Sequence, residues 1–166
     1  LYKSSPGLWA RLDNTNLQLI SMLNKVILGI AQRGDVVILG RGGFAALKDY
    51  ADVLHVRLQA PFSLRVKRVW KRERLVDMET AKKFVAENDK AGLAFIKAFY
   101  DIDGNAVNQF NLVLDTRVAS IDMAVDWIAA AAQSMNNSFF EEGLTTAEIE
   151  VDPILADAIQ KTLERP

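Results

Sequence analysis

Val36-Val37-Ile38-Leu39-Gly40-Arg41-Gly42-Gly43 is the stretch whose reading decides the fold. Four apolar residues, three of them β-branched, predict a short buried strand, and the strand runs into a glycine-rich turn carrying one arginine. Such a turn is a candidate oxyanion cradle. Without Cβ atoms, successive backbone N–H groups can converge on a ligand, and the planar, permanently charged fork of Arg41 matches phosphate. The sequence contains no Gly-x-x-x-x-Gly-Lys-Ser/Thr loop, the element that grips ATP in phosphate-transferring α/β proteins. The nearest spacing, Gly29 to Gly34, is followed by Asp35 and reads as the end of a helix.

Outward from this stretch, strands and helices alternate. Apolar residues at Leu17, Ile20, Leu23, Ile27 and Ile30 predict a helix over 14–33, with Asp13 as its cap and Gly34 as its stop. A short helical piece is expected around Phe44 to Lys48, then a strand over Val53 to Gln59, in which Leu54, Val56 and Leu58 alternate with His55 and Arg57. Pro61 opens a helix at its favoured first-turn position, running to about Arg74. Asp77 caps another that continues to about Tyr100, Asn111 to Leu114 is a third strand, and Ser120 to Gln133 is a helix with Ile121, Ala124, Val125, Ile128 and Ala132 on one face. This order specifies an α/β fold, a parallel sheet with flanking helices, with ligands gathering at the carboxyl ends of the strands.

The division expected is residues 1–133 as one partial α/β domain and 134–166 as a linker with a strand and helix appendage. Ser134 to Ser138 reads as the linker, Thr145 to Val151 as an acidic alternating piece, and Asp152 to about Glu164 as a helix with Ile154, Leu155, Ala158, Ile159 and Leu163 on one side. That stripe needs a partner: the main sheet, a second subunit in a homo-oligomer, or a further module of which it is the first element.

At 166 residues the chain can bury roughly 70% of its unfolded surface. Half of the residues are hydrophobic, a quarter are charged, and the formal charge is −1, so no global basic field argues for nucleic acid. No run approaches the roughly 18 apolar residues of a membrane span. The absence of cysteine excludes disulfides, thiolate metal sites and cysteine nucleophiles, and with no signal peptide in view it gives a cytoplasmic expectation.

Cationic charge is concentrated on the helix after Pro61, where Arg65, Lys67, Arg68, Lys71, Arg72 and Arg74 place six cations in ten positions. Spacing i, i+3, i+7 puts Arg65, Arg68 and Arg72 on one side, able to converge on phosphates; Trp70 reads as core. The plain alternative is a solvated charged face. Asp115-Thr116 ends the third strand, either facing the ligand crevice or serving as an ordinary strand-to-loop cap. His55 is the only histidine and has no clustered carboxylates near it in sequence; no metal site is expected, there or at Asp101 and Asp103, which read as a turn.

The ordered set Val36–Gly43, Ala51–Pro61, Leu64–Val69, Asn88-Asp89-Lys90, Phe95–Tyr100 and Asn111–Thr116 resembles the cytidylate kinase-like family of nucleoside monophosphate kinases, which have the P-loop fold. The resemblance covers about residues 17 to 132. It implies transfer of a phosphoryl group from ATP, with Mg2+, to a nucleoside monophosphate. By that likeness Gly40, Arg41 and Gly42 lie at the monophosphate site with Gly43 beside them, Arg65 and Arg68 begin a lid over the phosphates, Arg72 follows on the same face, and Asp89 belongs to the lid. Three departures stand out. The family's first strand and ATP loop would precede Leu1, Gly92 stands where an arginine is usual, and Gly42 stands where the cytidylate kinases proper have an aspartate that helps select cytidine. The alternative implied is a non-catalytic nucleotide-binding or regulatory module of the same fold. The tail from Leu144 weakly resembles the opening of a BON domain, through one strand-like piece and one helix.

Overall fold

The computed structural model describes residues 14–103, 105–136 and 143–164. The chain divides into two units, one formed by Leu1–Leu47 with Thr145–Pro166, the other by Lys48–Leu144.

In the first unit, helix α1 (Asn14–Gln32) carries the expected stripe, with Ile27 and Ala31 buried. It stops at Gly34, whose φ of 70° suits a residue without Cβ and whose N–H returns to the Ala31 carbonyl at 3.0 Å. The proposed cap, Asp13, lies outside the described residues. Helix α6 (Pro153–Leu163) starts at Asp152, whose carboxylate accepts from the N–H groups of Ile154 and Leu155, and it packs against α1. The two helices meet at Gly29: a Cβ there would lie 2.6 Å from Ile159 Cδ1 and 3.3 Å from Val151 Cγ1. Gly29 is thus a small-residue notch in a helix contact and no part of a phosphate loop. The α6 stripe has a partner within its own unit at Ile159, while Ile154 remains 81% exposed.

Two expectations fail in this unit. Val36–Leu39 forms no strand: Val37 is 97% and Leu39 90% exposed. A strand exists only where a neighbour supplies a row of amides and carbonyls, and among the described residues this segment has none beside it. The Thr145–Val151 piece is likewise not a strand. Thr146–Glu148 is a 3₁₀ turn, because the Glu148 carboxylate accepts from Thr145 N–H at 2.7 Å and closes a capping box. The strand-like half of the BON likeness is therefore absent from the described residues.

The second unit is built on a parallel pair, β1 (Val56–Gln59) and β2 (Leu112–Asp115), in register Val56 to Leu112 through Gln59 to Asp115. Strand β1 is shorter than the expected 53–59, β2 keeps the expected length one residue further on, and Leu58 is 56% exposed, so the alternation in 53–59 does not mark a buried face. Helix α3 (Phe62–Arg72) follows β1 with Pro61 as its N-cap residue, and α4 (Met78–Tyr100) starts at Asp77, which accepts from Thr80 N–H at 2.7 Å. These helices pack on one another through Val66, Ala81 and Val85, all buried, with Val69, Leu75 and Met78 around them. Trp70, read as core, is 36% exposed and lies outside that cluster. Helix α5 (Ile121–Asn136) follows β2; its less exposed row is Ala124, Ile128, Ala131 and Met135, while Ile121 is 83% and Val125 58% exposed. Apolar residues surround this helix, so periodicity alone does not single out the covered face. No described helix is long and apolar enough to cross a membrane.

Candidate functional site

Helices α3 and α4 border a cleft of ≈ 450 Å³ lined by Arg65, Arg68, Val69, Arg72, Phe84, Val85, Asn88 and Asp89. The i, i+3, i+7 spacing accounts for the cations on one wall, because residues at those intervals share a helix face. Val66 and Val69 anchor α3 to α4, leaving the arginine row beside the seam. The structure thus brings together four residues read from the sequence, Arg65, Arg68, Arg72 and Asp89.

Their settings differ. Arg65 gives Nη1 and Nη2 to the two Asp89 oxygens at 2.6 and 2.8 Å and Nε to the Ala60 carbonyl at 3.2 Å, and its guanidinium lies 5.7 Å from the Phe62 ring centre. This is the bidentate fork of arginine on carboxylate. The hydrogen bond to Asp89 raises the Arg65 pKa further above its ordinary value, so the group stays cationic. Arg72 is turned to Glu73, 2.7 Å away, on an exposed surface where such a pair is easily exchanged. Arg68 is held by uncharged oxygens: Nη1 donates to Thr116 Oγ1 and Nη2 to the Thr116 carbonyl, both at 2.7 Å. Thr116 directly follows β2, so this contact ties α3 to the carboxyl end of the sheet, where open α/β folds bind ligands. Asp115 beside it pairs with Arg117 at 3.0 Å.

Gly40, Arg41, Gly42 and Gly43 belong to the first unit. Gly40, Arg41 and Gly42 have φ of 70°, 55° and 76°, three left-handed residues in a row, which is costly for Arg41. Gly43 N–H closes the turn on the Gly40 carbonyl at 3.0 Å, and the four-residue helix α2 (Gly43–Ala46) begins there. A Cβ at Gly43 would sit 3.1 Å from Ile38 Cγ2, so packing on Ile38 accounts for that glycine. Missed in the sequence were the roles of Asn88 and Phe84 as cleft walls and the partnership of Arg68 with Thr116; α4 periodicity could have signalled the first, and nothing local signals the second.

A pair of packed helices thus presents a row of arginines beside the carboxyl end of a parallel two-strand sheet, the architecture of an α/β protein. The model of the cytidylate kinase-like family matches residues 7–118, and the chain belongs to that family. A cytidylate kinase of Methanopyrus kandleri is 34% identical over 109 residues, 61% of this chain and 56% of the relative. One from Pyrobaculum neutrophilum is 33% identical over 115 residues, 69% of this chain and 61% of the relative. One from Pyrobaculum aerophilum is 32% identical over 111 residues, 67% of this chain and 59% of the relative. The chain therefore spans 56–61% of the length of these curated relatives. No solved structure matches it.

Proposed function

We propose that this chain is part of a nucleoside monophosphate kinase of the cytidylate type, in which the α3 arginines neutralise charge on the phosphoryl group moving between two nucleotides. Phosphoryl transfer is mostly positioning and electrostatic stabilisation, and cations around the equatorial oxygens do much of it. In this reading Arg68 and Arg72 meet phosphate oxygens, Arg65 is oriented by Asp89, and Arg41 takes the acceptor phosphate. The observation that carries the reading is the cleft in which three arginines of α3 share one wall with Asp89 opposite.

Magnesium and ATP do not find a full ligand set here. No three acidic, histidine or cysteine side chains cluster among the described residues, and the sequence has no glycine-rich loop ending in Lys-Ser/Thr. The activity proposed is that of a whole protein to which these residues contribute. The test is a labelled-phosphate transfer assay on the intact gene product with magnesium ATP and each common nucleoside monophosphate. A labelled diphosphate product is expected; if every acceptor stays unlabelled, the kinase reading is wrong.

Two observations favour a second reading, a non-catalytic nucleotide-binding module. Asp89 occupies both terminal nitrogens of Arg65, and Gly92 stands exposed on α4 where the family usually has arginine. Loss of one transition-state cation is worth roughly 10³ to 10⁵ in rate in comparable enzymes. Calorimetry separates the two: nucleotide binding with no turnover supports the module.

A further inference from the structure

We infer that Thr116 is a positioning residue of this site, holding the Arg68 guanidinium in place for phosphate through its hydroxyl and its carbonyl together. The inference rests on the nucleotide reading above and adds a residue to it.

The bonding around Thr116 is directional. Its backbone N–H donates to the Gln59 carbonyl at 2.8 Å, continuing the ladder one residue beyond β2 and joining the carboxyl ends of both strands. Its hydroxyl lies 3.1 Å from the same carbonyl and 2.7 Å from Arg68 Nη1. A hydroxyl has one proton and two lone pairs, and the guanidinium can only donate. The Thr116 proton must therefore point to Gln59 and its lone pairs to Arg68. Together with the carbonyl, 2.7 Å from Nη2, this makes a two-point seat for one edge of the fork. A valine of the same shape would lose the hydroxyl point; a serine would keep it.

The seat is uncharged, and that separates Arg68 from Arg65. Arg65 is oriented and neutralised together, because both of its terminal nitrogens lie on the Asp89 carboxylate. Arg68 is oriented by two neutral oxygens and keeps its full positive charge for an anion. A guanidinium carries five N–H donors, so seating one edge leaves others to meet phosphate oxygens. The position of Thr116 suits it to hold a side chain still. It is half-buried at the end of the sheet and anchored to two strands, and so moves less than a helix-borne side chain would alone.

Two measurements on the full chain test this. In ligand-free protein, the guanidinium nitrogens of Arg68 in ¹⁵N spectra should show restricted rotation, retained in Thr116→Ser and averaged in Thr116→Val. Unchanged Arg68 signals in Thr116→Val would overturn the inference, whatever the protein binds. The second measurement is a double-mutant cycle read by calorimetry with inorganic pyrophosphate. Thr116→Val should weaken binding roughly tenfold, as expected for one charge-assisted hydrogen bond, and Thr116→Ser by no more than about twofold. On an Arg68→Gln background Thr116→Val should change nothing. Equal weakening on both backgrounds would show that Thr116 does not act through Arg68 and would overturn the inference. Failure of the unaltered chain to bind pyrophosphate would count against the nucleotide reading, while the spectra still decide whether Thr116 seats Arg68.

Discussion

The α3–α4 pair and the Val36–Gly43 segment both combine valines with a candidate phosphate-binding arginine, yet they are built in opposite ways. On α3, Val66 is 3% exposed against Ala81 and Val85, and the arginines beside it have named partners. In the other region, Val37 is 97% exposed and Arg41 sits in a left-handed turn. A helix satisfies its own backbone and needs only a face to cover, which the next helix in the chain supplies. A strand needs both a face and a row of hydrogen-bond partners, and these must come from elsewhere. Apolar content is thus an adequate guide to the first region and an incomplete one to the second.

Val66→Asp is the hardest test of that contrast. It places a carboxylate in the α3–α4 seam and should cost about 3–5 kcal/mol, read from urea unfolding followed by helix signal. A loss under about 1 kcal/mol would mean that the seam is not the core of its unit. Next in size, Gly29→Leu fills the notch that Ile159 Cδ1 occupies and should lower stability by about 1–3 kcal/mol. Gly29→Ala should be milder, since the tip of Ile159 can move and alanine favours helix. If Gly29→Leu melted with the unaltered chain, α1 and α6 would not be in contact in solution.

A smaller effect concerns acid. The Thr80 N–H holds the Asp77 carboxyl below its usual range, and Lys97 does the same for Asp101 by a hydrogen bond. A depressed folded-state pKa means stability that is complete above the ordinary carboxylate range and is lost as pH falls through the folded value. Asp77→Asn keeps a capping oxygen but cannot titrate, so its stability against pH should be flatter on the acid side. An unchanged acid limb would remove Asp77 from the account. Smallest of all, Val37→Asp should alter stability by no more than about 0.5 kcal/mol, as at other uncovered positions. A larger loss in thermal melts would show that Val37 is covered and would end the contrast between the two regions.

How far the sequence carries can be followed residue by residue. The starts of α4 and α6 were legible because Asp77 and Asp152 act on amides two or three residues away. The stop of α1 was legible in Gly34 for the same reason of locality. At Thr145–Val151 two local signals competed, and the Thr145 and Glu148 pair prevailed over alternation. The shared face of Arg65, Arg68 and Arg72 followed from helical spacing. Their partners did not: Asp89 is 24 positions from Arg65 and Thr116 is 48 from Arg68, and no local periodicity encodes pairings at that distance. The row of charges was therefore readable from spacing and Asp89 from the family likeness, while the pairings of Asp89 with Arg65 and of Thr116 with Arg68 emerged only with the fold.

The notch at Gly29 also has a bearing on how the chain comes to be folded during synthesis. Ile159, which fills it, is made 159 − 29 = 130 residues later. At translation rates of roughly 5–20 residues per second, α1 waits on the order of ten seconds for its partner. The Lys48–Leu144 unit, contiguous in the chain, can complete its own contacts within that interval. A ribosome-bound chain halted before Val151 should thus protect α3 and α4 from protease while α1 remains cleavable.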